Sequence, residues 1–378
     1  MIERRRIVER ARRGTAEVLV TLLRTEGSSY RQSGARLLTG ADGYAGTISG
    51  GRLEAEIVKK AAWSVRDGAL LQRYSTIFDD TAEIPYGMGC GGTVELLLEP
   101  AETPEFWALL GAMEASLKGE WSTVLSWLPT RTAGLRRAVI ARGGSVAFKS
   151  AGLECAEIQA AVTHVGADVY PGLVSGLSAD IFIEKLRPPQ RLVVLGAGDD
   201  AQPLVRMAGL LGWSITVADG RSQLAQTARF PEAKQVIAIA ATEHAQLNIT
   251  DNDAVVLMTH SYDQDRAWLA ALLPLVPRYL GVLGARHRSS LLVAEAAVIC
   301  GLSVAECCER IYAPVGLDLG GDGPEAIALA VVAEAQACVM GRLGRSRRLS
   351  AEVVAEQIER GGASQYHQAQ CGLSVNLQ

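Results

Sequence analysis

The chain has 378 residues and 48% hydrophobic composition, with 37 Lys and Arg against 41 Asp and Glu for a formal net charge of −4. That length suits two or three domains with cores of their own, and the weakly negative charge argues against a nucleic-acid-binding surface. No apolar run reaches the roughly 20 residues of a membrane span, and seven cysteines without C-x-x-C or zinc spacing point to reduced thiols in a cytoplasmic protein.

Residues 1–13 read as an amphipathic helix with Ile2, Val8 and Ala11 on its buried side. Its arginines have no apolar stretch behind them, so it is no secretory signal. Residues 16–25 predict a strand, and residues 26–34, EGSSYRQSG, a polar loop rich in backbone donors and hydroxyls. Residues 35–39 and 44–48 form a hairpin around Ala41-Asp42-Gly43. Ser49-Gly50-Gly51-Arg52 then feeds a helix over residues 53–67. Two glycines before a helix expose N–H groups to an anion, and Arg52 adds a positive charge. A plain capping turn uses the same residues. Residues 70–78 are strand-like, and Gly87-Met88-Gly89-Cys90-Gly91-Gly92 follows soon after. Four glycines give Cys90 no side-chain bulk to hide behind, so its thiol is expected to be accessible. Backbone N–H groups aimed at a thiolate lower its pKa and make it a better nucleophile or ligand. The alternative is a glycine-rich connector that happens to hold a cysteine. Residues 93–99 return to strand, residues 104–118 are helical, and residues 121–128, 137–141, 145–148 and 179–184 are strands.

RPPQ at residues 187–190 is a stiff linker into residues 191–221, RLVVLGAGDDAQPLVRMAGLLGWSITVADGR. A short apolar strand meets Gly196-Ala-Gly198-Asp-Asp-Ala201, a G-x-G-x-x-A turn, and a helix carrying Pro203 early. Gly212 ends that helix, residues 214–218 form a second strand, and Asp219 stands at its tip. Gly196 permits the tight turn, Gly198 lets backbone approach a pyrophosphate, and Ala201 lets helix pack on strand. A carboxylate about 20 residues on receives a ribose. Asp199 and Asp200 bring negative charge to that turn, which leaves open a Rossmann unit kept as scaffold. Residues 236–240 and 254–259 are buried strands, residues 265–275 are helical, and residues 279–283 form a strand leading to Gly284-Ala285-Arg286. His260 lies just past a strand's carboxyl end, where ligands of open sheets bind, and Arg286 is placed similarly. For His260 a structural and a functional role are equally open. A glycine-rich loop over residues 311–324 opens a helix over residues 325–341, and the basic, then polar stretch beyond reads as a helix plus a flexible tail.

Four blocks resemble the XdhC/CoxI family of maturation factors for xanthine and carbon monoxide dehydrogenases. Thr25-x-Gly27-Ser28-Ser29-Tyr30-Arg31-x-x-Gly34-Ala35 is similar to T-x-G-S-[ST]-P-R-x-x-G-A. Gly46-x-Ile48-Ser49-Gly50-Gly51-Arg52-x-Glu54 is similar to G-x-[IV]-[ST]-G-G-C-x-E. Gly89-Cys90-Gly91-Gly92 matches G-C-G-G, and the last block pairs the glycine turn with Thr259-His260 and Pro314-x-Gly316-Leu317-Asp318. Tyr30 stands where the family has proline. Arg52 stands where it has cysteine, which sets this chain apart from any mechanism that needs two thiols.

The resemblance implies a factor that binds molybdenum cofactor, guards it during sulfuration, and helps insert it into an apo xanthine or carbon monoxide dehydrogenase. It implies a chaperone more than an enzyme, a cysteine desulfurase-type sulfur donor as partner, and a homodimer. Gly27, Ser28, Ser29, Arg31, Gly50, Gly51, Arg52, Gly89, Gly91 and Gly92 are the expected cofactor-binding residues of the first domain. Gly196, Gly198, Asp219 and His260 are those of the second, where NAD or another nucleotide is the further candidate. Cys90 is the candidate thiolate and a molybdenum contact, since molybdenum and its dithiolene are soft; no separate metal site is expected. The fold expected is α/β in two domains: residues 1–186 a mixed α/β domain, residues 187–342 a Rossmann-like parallel-sheet domain, and residues 343–378 a helix and tail. An NAD(P)-dependent oxidoreductase and a nucleotide-binding regulatory protein are the alternatives.

Overall fold

Strands that alternate or run together in apolar residues build antiparallel sheets in the first half of the chain and a parallel sheet in the second. The computed structural model describes residues 1–27, 30–75, 84–85, 92–163, 171–174 and 179–344. The chain divides into two compact units, one made of residues 3–188 and one beginning at residue 189.

The first half contains, in chain order, α1 (Ile2–Arg12), β1 (Ala16–Gly27), β2 (Arg36–Gly40), β3 (Gly43–Gly46), α2 (Arg52–Ser64), β4 (Leu70–Ser75), β5 (Ile84–Pro85) and β6 (Gly92–Pro100). It continues with α3 (Pro104–Leu117), β7 (Ser122–Trp127), β8 (Arg136–Ala141), β9 (Val146–Lys149), α4 (Cys155–Thr163), β10 (Gly172–Val174) and β11 (Ile181–Leu186). Two sheets result, ordered β3-β2-β1-β6-β4-β5 and β10-β11-β7-β8-β9. All pairings are antiparallel except the short β4–β5 contact. Thr103 caps α3 by accepting the Phe106 N–H, with Pro104 at the first helical position, where its missing N–H costs nothing. Phe106, Leu109 and Met113 of α3 pack with Leu19 and Leu38 of one sheet and Val124 and Val139 of the other. A buried ion pair joins the sheets as well: Arg137 Nη1 donates to Glu99 Oε2 at 2.8 Å, and its Nε to Ser126 Oγ at 2.9 Å.

The second unit runs β12 (Arg191–Leu195), α5 (Ala201–Leu210), β13 (Ser214–Asp219), β14 (Gln235–Ala238), β15 (Ala254–Leu257), α6 (Tyr262–Leu272), β16 (Tyr279–Val282), α7 (Arg286–Cys300), α8 (Val304–Arg310) and α9 (Pro324–Val339). Its strands are all parallel in the order β14-β13-β12-β15-β16, a Rossmann sheet whose strand order reverses between β12 and β15. Leu192, Val194, Ala254 and Val256 face one helical layer with Leu204 and Val331. Val193, Leu195, Val255 and Leu257 face the other with Leu269 and Leu292. Both faces are buried, so the strands read as unbroken apolar runs.

Helices α4, α7 and α8 and the short strands β5 and β10 are additions to the elements expected from sequence. α7 carries apolar residues all round: Leu292, Val293 and Ala296 are buried, while Leu291, Val298 and Ile299 are exposed, so no amphipathic face announces it. The cysteines at 155, 300, 307, 308 and 338 are free thiols. Among the described residues no single helix is long and apolar enough to cross a membrane. The expected tail beyond residue 344 lies outside the described residues.

Candidate functional site

The glycine turn after β12 is fixed by close approach. Gly196 has φ 121°, and a Cβ there would lie 2.3 Å from the Met258 carbonyl oxygen. Only glycine closes the turn against the chain leaving β15. The next N–H, of Ala197, donates to Asp219 Oδ2 at 2.7 Å. Arg221 supplies three more donors to the same carboxylate: its N–H and Nε reach Oδ1 at 2.8 and 2.9 Å, and its Nη2 reaches Oδ2 at 2.8 Å. A carboxylate offers about four lone-pair sites, and these four donors use them. Burial alone raises the Asp219 pKa, but the hydrogen bonds from Arg221 and from the Ala197 and Arg221 backbone outweigh it and hold the group below its usual range. The acid expected to receive a ribose thus clamps the glycine turn to the tip of β13. Arg229 braces the turn from outside, donating to the Ala197 carbonyl at 2.6 Å and pairing with exposed Asp199 at 2.7 Å. The charge that Asp199 brings to the turn is therefore countered.

His260 lies across the turn in the left-handed region, with φ 62°. A non-glycine residue held there stores on the order of 1 kcal/mol, and such strain gathers at functional sites. Its Nε2 is hydrogen-bonded to Asp200 Oδ2 at 2.7 Å. Gly198 belongs to the same cluster, since a Cβ there would lie 2.5 Å from Asp200 Oδ1 and 3.9 Å from His260 Cδ2. Beneath it, buried Thr259 donates through Oγ1 to Asp265 Oδ1 at 2.5 Å, and Arg288 Nη2 reaches Asp265 Oδ2 at 2.7 Å. These residues sit at the carboxyl ends of β12 and β15, where the strand order reverses and ligands of open parallel sheets bind.

In the first unit the motif residues are drawn together by two carboxylates. Glu3 of α1 pairs with Arg31 and accepts the Thr47 N–H at 2.7 Å. Glu54 of α2 accepts from Thr47 Oγ1 at 2.6 Å, from the N–H groups of Ile48 and Ser49 at 2.9 and 2.6 Å, and from that of Gly51 at 2.9 Å. It also receives the Ser49 hydroxyl. Burial alone raises the Glu54 pKa, but hydrogen bonds from Ser49 and Thr47 push it down to about 2. Gly51, with φ 114°, turns the chain into α2. The Gly51 N–H is thus taken up inside the chain, while Gly50 is exposed and faces open space. Arg52 is the first residue of α2. At another end of the sheet Gly27, last in β1, pairs with Gly92, first in β6. Residues 25–27 and Gly92 therefore stand side by side at this end of the sheet.

Of the residues singled out from sequence, Gly196, Gly198, Asp219 and His260 come together in the second unit. Arg31, Gly50 and Gly51 lie in the linked loops of the first, and Gly27 faces Gly92. Ser28, Ser29, Gly89, Cys90 and Gly91 lie outside the described residues. Sequence reasoning missed the residues that hold these loops. Glu54, three residues after Gly51, stands at the capping-box spacing and was visible in principle. Glu3 and Arg221 carried no signal in spacing alone.

A parallel Rossmann sheet beside a separate antiparallel unit carrying polar glycine loops defines a two-unit α/β class. The XdhC Rossmann domain model matches residues 192–335, and the XdhC and CoxI family model matches residues 10–75. The chain belongs to the XdhC/CoxI family. It is 28% identical over 321 residues to a probable xanthine dehydrogenase subunit of Bacillus subtilis (strain 168), covering 84% of this chain and 91% of that protein. It is 26% identical over 338 residues to the molybdenum cofactor insertion chaperone PaoD of Escherichia coli (strain K12), covering 86% and 85%. The crystal structure of a xanthine dehydrogenase (BH1974) from Bacillus halodurans superposes with a TM-score of 0.73 at 26% identity, covering 93% of this chain and 99% of that one.

Proposed function

We propose that this chain is a maturation factor that holds molybdenum cofactor, guards it during sulfuration, and delivers it to an apo xanthine or carbon monoxide dehydrogenase. The observation that carries this reading is the alignment with the insertion chaperone PaoD along 86% of the chain. The cofactor is cargo here: it brings the molybdenum–dithiolene centre and a phosphate, and the chain brings the groups that suit each end. Gly50, exposed beside open space, suits an oxyanion, and Arg52, opening α2, contributes the positive charge. The Cys90 thiolate is the soft group for the metal end. Gly196, Gly198 and His260, at the carboxyl ends of β12 and β15, are the groups for a nucleotide in the second unit, where Asp219 holds the turn in shape. A cysteine desulfurase-type donor, a homodimer and a cytoplasmic location complete the proposal.

The alternative, a nicotinamide-dependent oxidoreductase, predicts a different extractable ligand. The test is the absorbance and mass spectrum of the ligand released from protein made in cells that synthesise molybdenum cofactor, followed by activation of an apo-dehydrogenase. Pterin in the extract together with activation is expected. Nicotinamide in the extract, or no activation by loaded protein, overturns the reading.

A further inference from the structure

Past the carboxyl end of β16 the second unit holds another concavity, which shares no lining residue with the glycine turn. The opening turns of α7, helix α8 and residues 311–314 enclose a cleft of about 430 Å³, inside the range that accepts a small organic ligand. Its polar side begins with Arg286. Two residues on, Arg288 is committed to the chain, donating to Asp265 at 2.7 Å and to the Leu283 carbonyl at 3.3 Å. The Arg286 guanidinium, by contrast, has no hydrogen-bond or ion-pair partner among the described residues. Two arginines of one helical turn thus have different duties: one fixes the loop, and the other faces the cleft.

Ser289 and Ser290 line the same side. Their hydroxyls donate to the carbonyls of Gly284 at 3.3 Å and Arg286 at 2.8 Å. Their protons are thereby engaged, so toward the cleft they present acceptor oxygens. Val293, one turn on along α7, and Ile311 and Pro314 make the rest of the lining apolar, and Cys308 adds an exposed, unbridged thiol. An uncommitted guanidinium calls for an oxyanion. Hydroxyl oxygens that can only accept call for N–H donors, and an apolar wall calls for a ring face. A cleft of this volume is also larger than a bare heterocyclic acid fills.

We propose that this cleft binds a flat nitrogen heterocycle carrying a phosphate monoester, with the phosphate at Arg286, ring N–H groups at Ser289 and Ser290, and the ring against Val293 and Pro314. The proposal does not rest on the maturation-factor reading, and its test reads this cleft alone. AMP and neopterin monophosphate are the probes, one for each source of that chemistry, with adenosine and inorganic phosphate as controls. Calorimetry gives affinity, and peptide mass spectrometry after iodoacetamide treatment gives the labelling rate at Cys308. At least one phosphate-bearing probe is expected to bind and to slow Cys308 labelling severalfold. Arg286→Ala, at an exposed position, is expected to keep the fold and weaken that probe tenfold or more, with Arg286→Lys recovering part of the loss. Adenosine should bind more weakly and respond little to either substitution. Failure of both probes to slow Cys308 labelling at millimolar concentration overturns the proposal, even if they bind elsewhere. Equal affinity of the Arg286→Ala and unsubstituted proteins overturns it as well.

Discussion

Glu54 reaches back to the N–H of Gly51 at 2.9 Å, and its two oxygens hold every residue of the loop from Thr47 to Gly51 except Gly50. Its folded-state pKa of about 2 lies below the ordinary 4.5. The stabilisation is therefore fully present above about pH 4.5 and is lost as pH falls toward 2. Glu54→Gln replaces one acceptor by an amide that faces N–H donors, at a cost of about 2 kcal/mol near neutrality. Urea unfolding should show that deficit at pH 7 and a smaller one near pH 3, where the native carboxylate is losing its advantage. An equal deficit at both pH values would mean the loss is one of shape and not of charge.

Asp219 with Arg221 gives the second unit a comparable clamp. Asp219→Asn leaves Arg221 and the Ala197 N–H with half of their acceptor, inside a site where Asp219 itself is buried. Breaking a buried pair costs about 3–5 kcal/mol. The Arg221 side chain is 37% exposed, so water screens it and the expected cost falls to about 2 kcal/mol. Calorimetric melting should show a fall of several degrees, and any affinity for NAD should fall with it because the turn loosens. Unchanged melting with lost NAD affinity would return Asp219 to the role of a direct ribose ligand.

The parallel unit was legible because its strands are buried on both faces and its glycine turn has a strict mechanical spacing. Gly196 has to be glycine to pass the Met258 carbonyl, and that requirement shows in the sequence. α7 was not legible, since apolar residues on its buried and exposed sides leave no period to read. The clamps were hidden for another reason. Glu3 meets Thr47 and Arg36 meets Glu184 across 44 and 148 residues, and no local pattern encodes such pairs. Asp219 was found as an acid at the right distance, but its commitment to Arg221 depends on side-chain geometry that spacing does not carry.

His260 carries a conformational cost at φ 62° while its bond to Asp200 lies at an exposed side chain. Glycine adopts that backbone freely. His260→Gly is therefore expected to leave the melting temperature level or slightly raised, the relief of about 1 kcal/mol being offset by glycine's greater freedom in the unfolded chain. Retention of nucleotide or cofactor should fall at least several-fold in the same protein. A clear drop in melting temperature with full retention would make His260 a structural residue.

The last prediction concerns Cys90, two residues before the point where Gly92 pairs with Gly27. That pair sets the last residue of β1 beside the first residue of β6, and Cys90 itself lies outside the described residues. An unperturbed cysteine is only a few per cent ionised near neutrality, and a thiolate that contacts molybdenum or a sulfur in transfer has to exceed that. Alkylation of Cys90 should therefore be faster than that of a free cysteine at pH 7. Cys90→Ser keeps the side-chain size nearly constant and removes the soft ligand. The variant is expected to melt at the same temperature as the unsubstituted protein, to retain little molybdenum, and to fail in activating an apo-dehydrogenase. Full activation by Cys90→Ser at an ordinary melting temperature would remove the thiol from the mechanism and leave Gly50 and Arg52 as the groups that hold the cargo.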